Sequence, residues 1–178
     1  LIGQSAERDY CGVNCGIMDQ FASAMGKRNN AIFLICKSLE YKHVPLKMDG
    51  YKLVLTNTNK KHTLSASAYN QRRSECEAGF EILRKALPGK TCLGEISVEE
   101  FEAHKHLITD PVILNRVTHV IYEDDRVLSS IQALENGNMA LFGELMNQSH
   151  DSLSKLYEVT GKELDTLAYE AQKLEGVL

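Results

Sequence analysis

The chain has 178 residues, with 20 Lys+Arg against 24 Asp+Glu, 43% hydrophobic residues and five cysteines. That length suffices for one ordinary domain, or two small ones, with a real core, and 25% charged residues beside near-average apolar content excludes a disordered, collagen-like or coiled-coil chain. The longest unbroken apolar run, at 31–36, is six residues and far short of a membrane span, and residues 1–4 do not resemble a secretory signal, so a cytoplasmic chain with no membrane partner is expected.

Residues 1–8 show neither a start signal nor a cap. Three strand-like runs follow at 30–36, 41–46 and 51–58, the last opened by the turn pair Asp49-Gly50. From residue 63 the pattern turns helical. Tyr69, Cys76, Phe80, Leu83 and Leu87 recur at three- and four-residue steps before Pro88-Gly89 stops them. Ser97-x-x-Glu100 has the capping-box spacing, and Asp110-Pro111 pairs an N-cap with Pro at the first helical position. The stripe Val117, Ile121, Leu128, Ile131, Leu134 extends that helix toward Gly137. Another helix is expected over 139–156, and Thr160-x-x-Glu163 caps a last one ending at Gly176. A few strands followed by a run of helices reads as α+β, with a boundary near residues 48–50.

Charge is uneven. Residues 1–62 hold nine Lys/Arg against five Asp/Glu, and the remainder eleven against nineteen. The basic part has no aromatic-interleaved stripe, so a nucleic-acid partner is not expected, while an anionic small molecule and plain solvated lysines remain as rival readings. Cys11, Cys15, Cys36, Cys76 and Cys92 are odd in number, and Cys11-x-x-x-Cys15 lacks a second Cys/His pair at ligand spacing. Buried free thiols, rather than disulfides or a metal-thiolate site, are expected.

The stretch Gly12-Val13-Asn14-Cys15-Gly16-Ile17-Met18-Asp19-Gln20-Phe21 is the most unusual. Two glycines four apart allow a backbone to approach a ligand closely. Asp19 then falls at or near a helix start. It is either a helix N-cap or a carboxylate placed to take a proton from, or orient, a hydroxyl.

Residues 12–26 resemble the galactokinase segment that carries the catalytic aspartate, within the larger GHMP small-molecule kinase superfamily. Further resemblances follow in the same order and at the same separation. They are Thr56-Asn57-Thr58-Asn59-Lys60-Lys61-His62, residues 69–77 beginning Tyr69-Asn70-Gln71-Arg72-Arg73, residues 116–123 beginning Arg116-Val117-Thr118-His119, and residues 142–150 beginning Phe142-Gly143-Glu144. The likeness spans nearly the whole chain. It implies transfer of the γ-phosphoryl group of ATP to the anomeric hydroxyl of galactose, with Mg²⁺ as cofactor. Asp19 matches the catalytic aspartate, Gly16 a backbone contact to the sugar, Tyr69 a sugar-contacting tyrosine and Glu7 the magnesium-binding glutamate. Lys61 and His62 follow as second-rank candidates. The Arg72-Arg73 pair is expected to meet surface acids such as Glu75 and Glu77.

The family's N-terminal sugar-gripping segment, its Gly/Ser-rich phosphate loop and its C-terminal Gly-rich segment have no counterpart in these 178 residues. The resemblance therefore implies a central piece of a galactokinase, inactive by itself. Residues 1–48 would end an N-terminal GHMP-type α/β domain. Residues 49–178 would form most of a largely helical C-terminal GHMP-type domain lacking its last strands. Open sheet edges make self-association of the piece an expectation, with a monomeric parent. Two alternatives within reach of the same motifs are a galactokinase-like sugar and ATP sensor and a kinase for a related sugar such as N-acetylgalactosamine.

Overall fold

The computed structural model describes residues 1–12, 15–60 and 65–178, with backbone only over 65–68. The elements are α1 (Ile2–Asp9), α2 (Met18–Met25), β1 (Asn30–Ile35), β2 (Glu40–Pro45), α3 (Ser65–Leu83), α4 (Val98–His104), α5 (Pro111–Glu135), α6 (Met139–Ser152) and α7 (Lys162–Ala171). Among the described residues no helix is long and apolar enough to cross a membrane.

Helix α5 is the axis of the molecule. Asp110 caps it by accepting hydrogen bonds from the Val112 and Ile113 amides at 2.8 and 3.3 Å, and Pro111 occupies the first turn, where its missing N–H costs nothing. Its first half builds the main core. Val117 and Ile121 meet Leu83, Leu93, Ile96, Phe101 and Ile108. Gly79 lets α3 come close, because a Cβ there would lie 2.2 Å from Val117 Cγ2. The second half of α5 carries Leu134, which with Met139 covers the fully buried Val44 of β2. Leu128 falls between these two clusters and stays 51% exposed, although the sequence stripe included it.

Strands β1 and β2 form an antiparallel hairpin in register from Asn30↔Pro45 to Ile35↔Glu40. The third expected strand is absent: residues 51–58 pair with no strand among those described, and Leu53, Val54 and Leu55 are exposed. Three consecutive apolar residues give no single apolar face, so nothing in this chain fixes a register for them.

Other boundaries also move. The N-terminal residues form α1 without any side-chain cap. Helix α3 starts at Ser65 and stops at Leu83, with Leu87 packing on the core from the turns before Pro88. Past Leu83 the chain continues in turns, with the Ala86 and Leu87 amides both donating to Leu83 O, and Pro88, which has no N–H, ends them. The Ser97/Glu100 capping box forms as expected. The last helix starts after Gly161, not at Thr160, because the Glu163 carboxylate that a capping box needs is held by Lys60 Nζ at 2.7 Å. It ends at Ala171, short of Gly176.

Helix α6 passes into a π turn, Leu153–Tyr157, closed by Glu158 in the left-handed region. The carbonyls left open there are taken by two arginines. Arg72 Nε donates to Tyr157 O at 2.7 Å, and the Arg116 guanidinium donates to Leu156 O. Arg116 is 3% exposed and also donates to Glu75 Oε2 at 2.9 Å and Glu158 Oε2 at 2.7 Å. A planar guanidinium with five N–H groups suits a site where carboxylates and carbonyls converge. As expected, Arg72 and Arg73 pair with Glu75 and Glu77.

Candidate active site

The hairpin carries the site. Lys42 of β2 pairs with Glu135 at 2.9 Å, fastening the strand to the end of α5. On the other side, a ring nitrogen of His43 lies 2.8 Å from Met25 O, and Phe21 meets Tyr41 edge-on at 5.1 Å. These contacts set helix α2 on the hairpin. Helix α2 in turn holds α1: Gln20 Nε2 donates to Glu7 Oε1 at 2.6 Å, and Gln4 Nε2 donates to Cys15 O at 3.3 Å. So a chain of contacts runs from α5 through β2 to α2 and then to α1.

Asp19 lies in the first turn of α2, whose N-cap is Ile17 and which has no side-chain cap. The N-cap alternative for Asp19 is thereby set aside. Its carboxylate is exposed, and among the described residues no hydrogen bond or ion pair is drawn to it. A first-turn position faces the positive end of the helix dipole, which favours a negative group. Gly16 is also exposed, and a Cβ added to it would meet nothing within 4 Å. Packing inside this chain therefore does not require glycine at that position.

Glu7 sits in the last turn of α1, one residue from Asp19 through the Gln20 bridge. The Cys15 thiol lies beside it and is held above its ordinary pKa, first by loss of solvent and then by its hydrogen bond to the Glu7 carboxylate. No group of three or more His, Cys, Asp or Glu able to hold a metal occurs among the described residues. A single carboxylate fits a hard Mg²⁺ that brings its own waters and phosphate oxygens, and does not fit a metal needing an all-protein cage.

Tyr69 projects from α3 with 44% of its surface exposed, outside the core that its place in the apolar stripe suggested. No hydrogen bond or ring contact joins it to Glu7 or Asp19 among the described residues, but its neighbour Asn70 shares a cleft with Arg8 of α1. Thus Gln20, the sequence neighbour of Asp19, ties Glu7 to α2, while Arg8 and Asn70, the neighbours of Glu7 and Tyr69, line one cleft. Lys61 and His62 lie outside the described residues. The bridging glutamines Gln4 and Gln20 and the Arg8–Asn70 cleft carry no sequence signal; only the adjacency of Gln20 to Asp19 pointed that way. All five cysteines are free, but Cys11 and Cys36 are exposed, contrary to the expectation of buried thiols: one is at the end of α1 and the other in the hairpin turn, where no core covers them.

No family model matches the chain. Curated relatives do. The galactokinase of Clostridium beijerinckii is 52% identical over 175 residues, covering 98% of this chain and 45% of its own length. That of Limosilactobacillus fermentum is 46% identical over 177 residues, covering 99% and 45%. The crystal structure of Lactococcus lactis galactokinase complexed with galactose superposes with a TM-score of 0.92 at 44% identity, covering 98% of this chain and 45% of that one. The chain thus spans a little under half the length of the relatives it matches. Over that span it shares both their sequence and their fold, and it belongs to the galactokinase family.

Proposed function

We propose that this chain is the part of a galactokinase that presents the catalytic carboxylate, and that the complete enzyme moves the γ-phosphoryl group of ATP onto the anomeric hydroxyl of galactose. The observation that carries this reading is Asp19. It is solvent-facing, without a hydrogen-bond or ion-pair partner among the described residues, and on a helix start tied back to the main core, in a chain half identical to galactokinases.

A sugar hydroxyl is a weak nucleophile at neutral pH. In this reading the Asp19 carboxylate orients it and accepts its proton as the sugar oxygen bonds to the γ-phosphorus and the bond to the β-phosphate oxygen breaks. The open space over Gly16 suits close approach of the sugar to the backbone. Tyr69 offers a ring face and a hydroxyl to the same ligand from α3. Glu7 is the residue that would hold Mg²⁺, which when bound neutralises charge on the ATP phosphates. Lys61 and His62 are second-rank contacts to phosphate or sugar. Residues 1–48 and 49–178 are taken as parts of two domains, and the cytoplasm as the compartment.

The 178-residue sequence contains no Gly/Ser-rich phosphate-loop motif, so negligible turnover is expected from this chain alone. Self-association through open sheet edges also belongs to this reading, and a sharply monomeric light-scattering profile at high concentration would count against it. The activity test grafts residues 1–178 in place of their counterpart in the Clostridium beijerinckii galactokinase and measures galactose-dependent ADP release, with Asp19→Asn beside it.

A further inference from the structure

Gln20 follows the candidate base Asp19 in α2, and its side chain lies against α1. A Cβ at Gly3 would come within 3.2 Å of Gln20 Cγ, so the missing side chain there gives the glutamine stem its seat. Four residues on, along the same face of α1, stands Glu7, and Gln20 Nε2 donates to its Oε1 at 2.6 Å. The opposite orientation of the Gln20 amide would set its oxygen against a carboxylate, acceptor against acceptor. As a result Gln20 Oε1 is sealed from solvent and has no hydrogen-bond partner among the described residues. The Cys15 thiol also bonds to the Glu7 carboxylate, and Gln4 Nε2 steadies Cys15 by donating to its carbonyl oxygen at 3.3 Å.

A buried acceptor without a donor costs free energy, and an apolar side chain of the same length at residue 20 would leave no such acceptor. Stability alone therefore does not account for a glutamine here. What the side chain does achieve is to fix a carboxylate on an otherwise exposed helix. We propose that Gln20 is a positioning residue for the metal: it clamps Glu7 through Oε1 and leaves the second carboxylate oxygen, Oε2, for Mg²⁺. This rests on the reading of Glu7 as the residue that would hold Mg²⁺. A lone glutamate gives up its rotamer freedom when it meets an ion, whereas a carboxylate already hydrogen-bonded has given it up beforehand. An amide suits the task better than a lysine, because it donates without placing a positive charge beside the ion. Since Gln20 belongs to α2, the clamp also ties the metal-holding carboxylate to the helix that carries Asp19.

The test uses residues 1–178 grafted into the Clostridium beijerinckii galactokinase, unmodified and with Gln20→Met, Glu7→Gln and both together. Two quantities are read. One is the Mg²⁺ concentration that gives half the galactose-dependent rate. The other is the binding of Mn²⁺ with ATP in the absence of galactose, followed by electron paramagnetic resonance. Gln20→Met keeps the length of the side chain and removes the donor. It is expected to weaken both by about tenfold, the scale on which a lost hydrogen bond to a metal ligand acts, while KM for galactose moves by less than about twofold. Glu7→Gln should weaken both further, and adding Gln20→Met to it should then change nothing more, as for a residue that acts through Glu7. The urea midpoint of the 178-residue chain should not fall with Gln20→Met, because the unpartnered acceptor goes with the donor. Metal readouts unmoved by Gln20→Met while Glu7→Gln weakens them, or two effects that add in the double variant, would overturn the proposal. So would a lower urea midpoint together with a raised KM for galactose, the mark of a purely structural role. Mn²⁺ binding that survives Glu7→Gln at full strength would overturn the reading of Glu7 and the clamp with it. The Mn²⁺ readout needs no turnover, so a graft that releases no ADP contradicts the activity reading while the metal still decides the clamp.

Discussion

The helical half and the site-bearing first third are held together in different ways. In the helical half, Leu83, Phe101, Val117 and Ile121 are all at most 1% exposed, and a buried arginine closes the π turn. In the first third, α1 and α2 bury no residue at all, and their contacts to the rest are a few hydrogen bonds and ring edges. The candidate carboxylates Glu7 and Asp19 therefore stand on elements with no core of their own. Their geometry is borrowed through the hairpin, whose fully buried Val44 packs into the helical body with Ala31 and Phe33 beside it. Packing provides the rigid frame, and the exposed elements are left for ligand contact, as is usual for binding segments carried on a scaffold.

That contrast can be broken first at Phe101. Phe101→Ala removes a fully buried ring from the main core and is expected to cost about 3–5 kcal/mol by denaturant unfolding. Next in size is Arg116→Met, expected to cost about 3 kcal/mol because Glu75 and the π-turn carbonyls lose their donor; adding Glu75→Gln should recover part of the loss. A smaller effect follows from His119. Its ring, stacked on Tyr157 and 2.8 Å from Ser152 Oγ, is pushed below the ordinary histidine value of 6.5 by burial. Protonation then favours the unfolded chain, so stability is full above about pH 6.5 and declines as pH falls through the lower folded value. His119→Asn should flatten this slope below about pH 6.5. Glu75 adds a separate loss at lower pH: burial alone would raise its pKa, but hydrogen bonds from Arg116 and Gln71 and the nearby guanidinium charges hold it below 4.5, so its contribution fades only as pH drops under that value. The smallest effect is expected at Met18, on the surface of α2, where Met18→Ala should change stability by no more than about 0.5 kcal/mol. If Met18→Ala and Phe101→Ala cost the same, the two regions are not held as described.

How much of this was legible in the sequence follows the same division. Local chemistry announced itself where side chain and backbone answer each other within a turn, as at Ser97/Glu100 and Asp110-Pro111. The 51–58 run misled because strand propensity cannot reveal whether a partner edge exists. Thr160 misled because Glu163 is claimed by Lys60, about a hundred residues away in sequence and beyond any local pattern. Only family resemblance pointed to Glu7 together with Asp19; what the structure shows is that Gln20, the neighbour of Asp19, donates a long-range hydrogen bond to Glu7, a pairing of two ordinary polar residues. The Arg8–Asn70 cleft had no signal in the sequence, because it is made by the meeting of two helices rather than by either one.

The most direct test of the central claim is galactose-dependent ADP release by the Clostridium beijerinckii galactokinase carrying residues 1–178 of this chain, measured beside its Asp19→Asn variant. Turnover in the first, and a loss of roughly a hundredfold or more in the second, is the predicted result for a carboxylate that takes the sugar proton. A graft that binds galactose and ATP yet releases no ADP, or an Asp19→Asn variant that keeps its full rate, would contradict it.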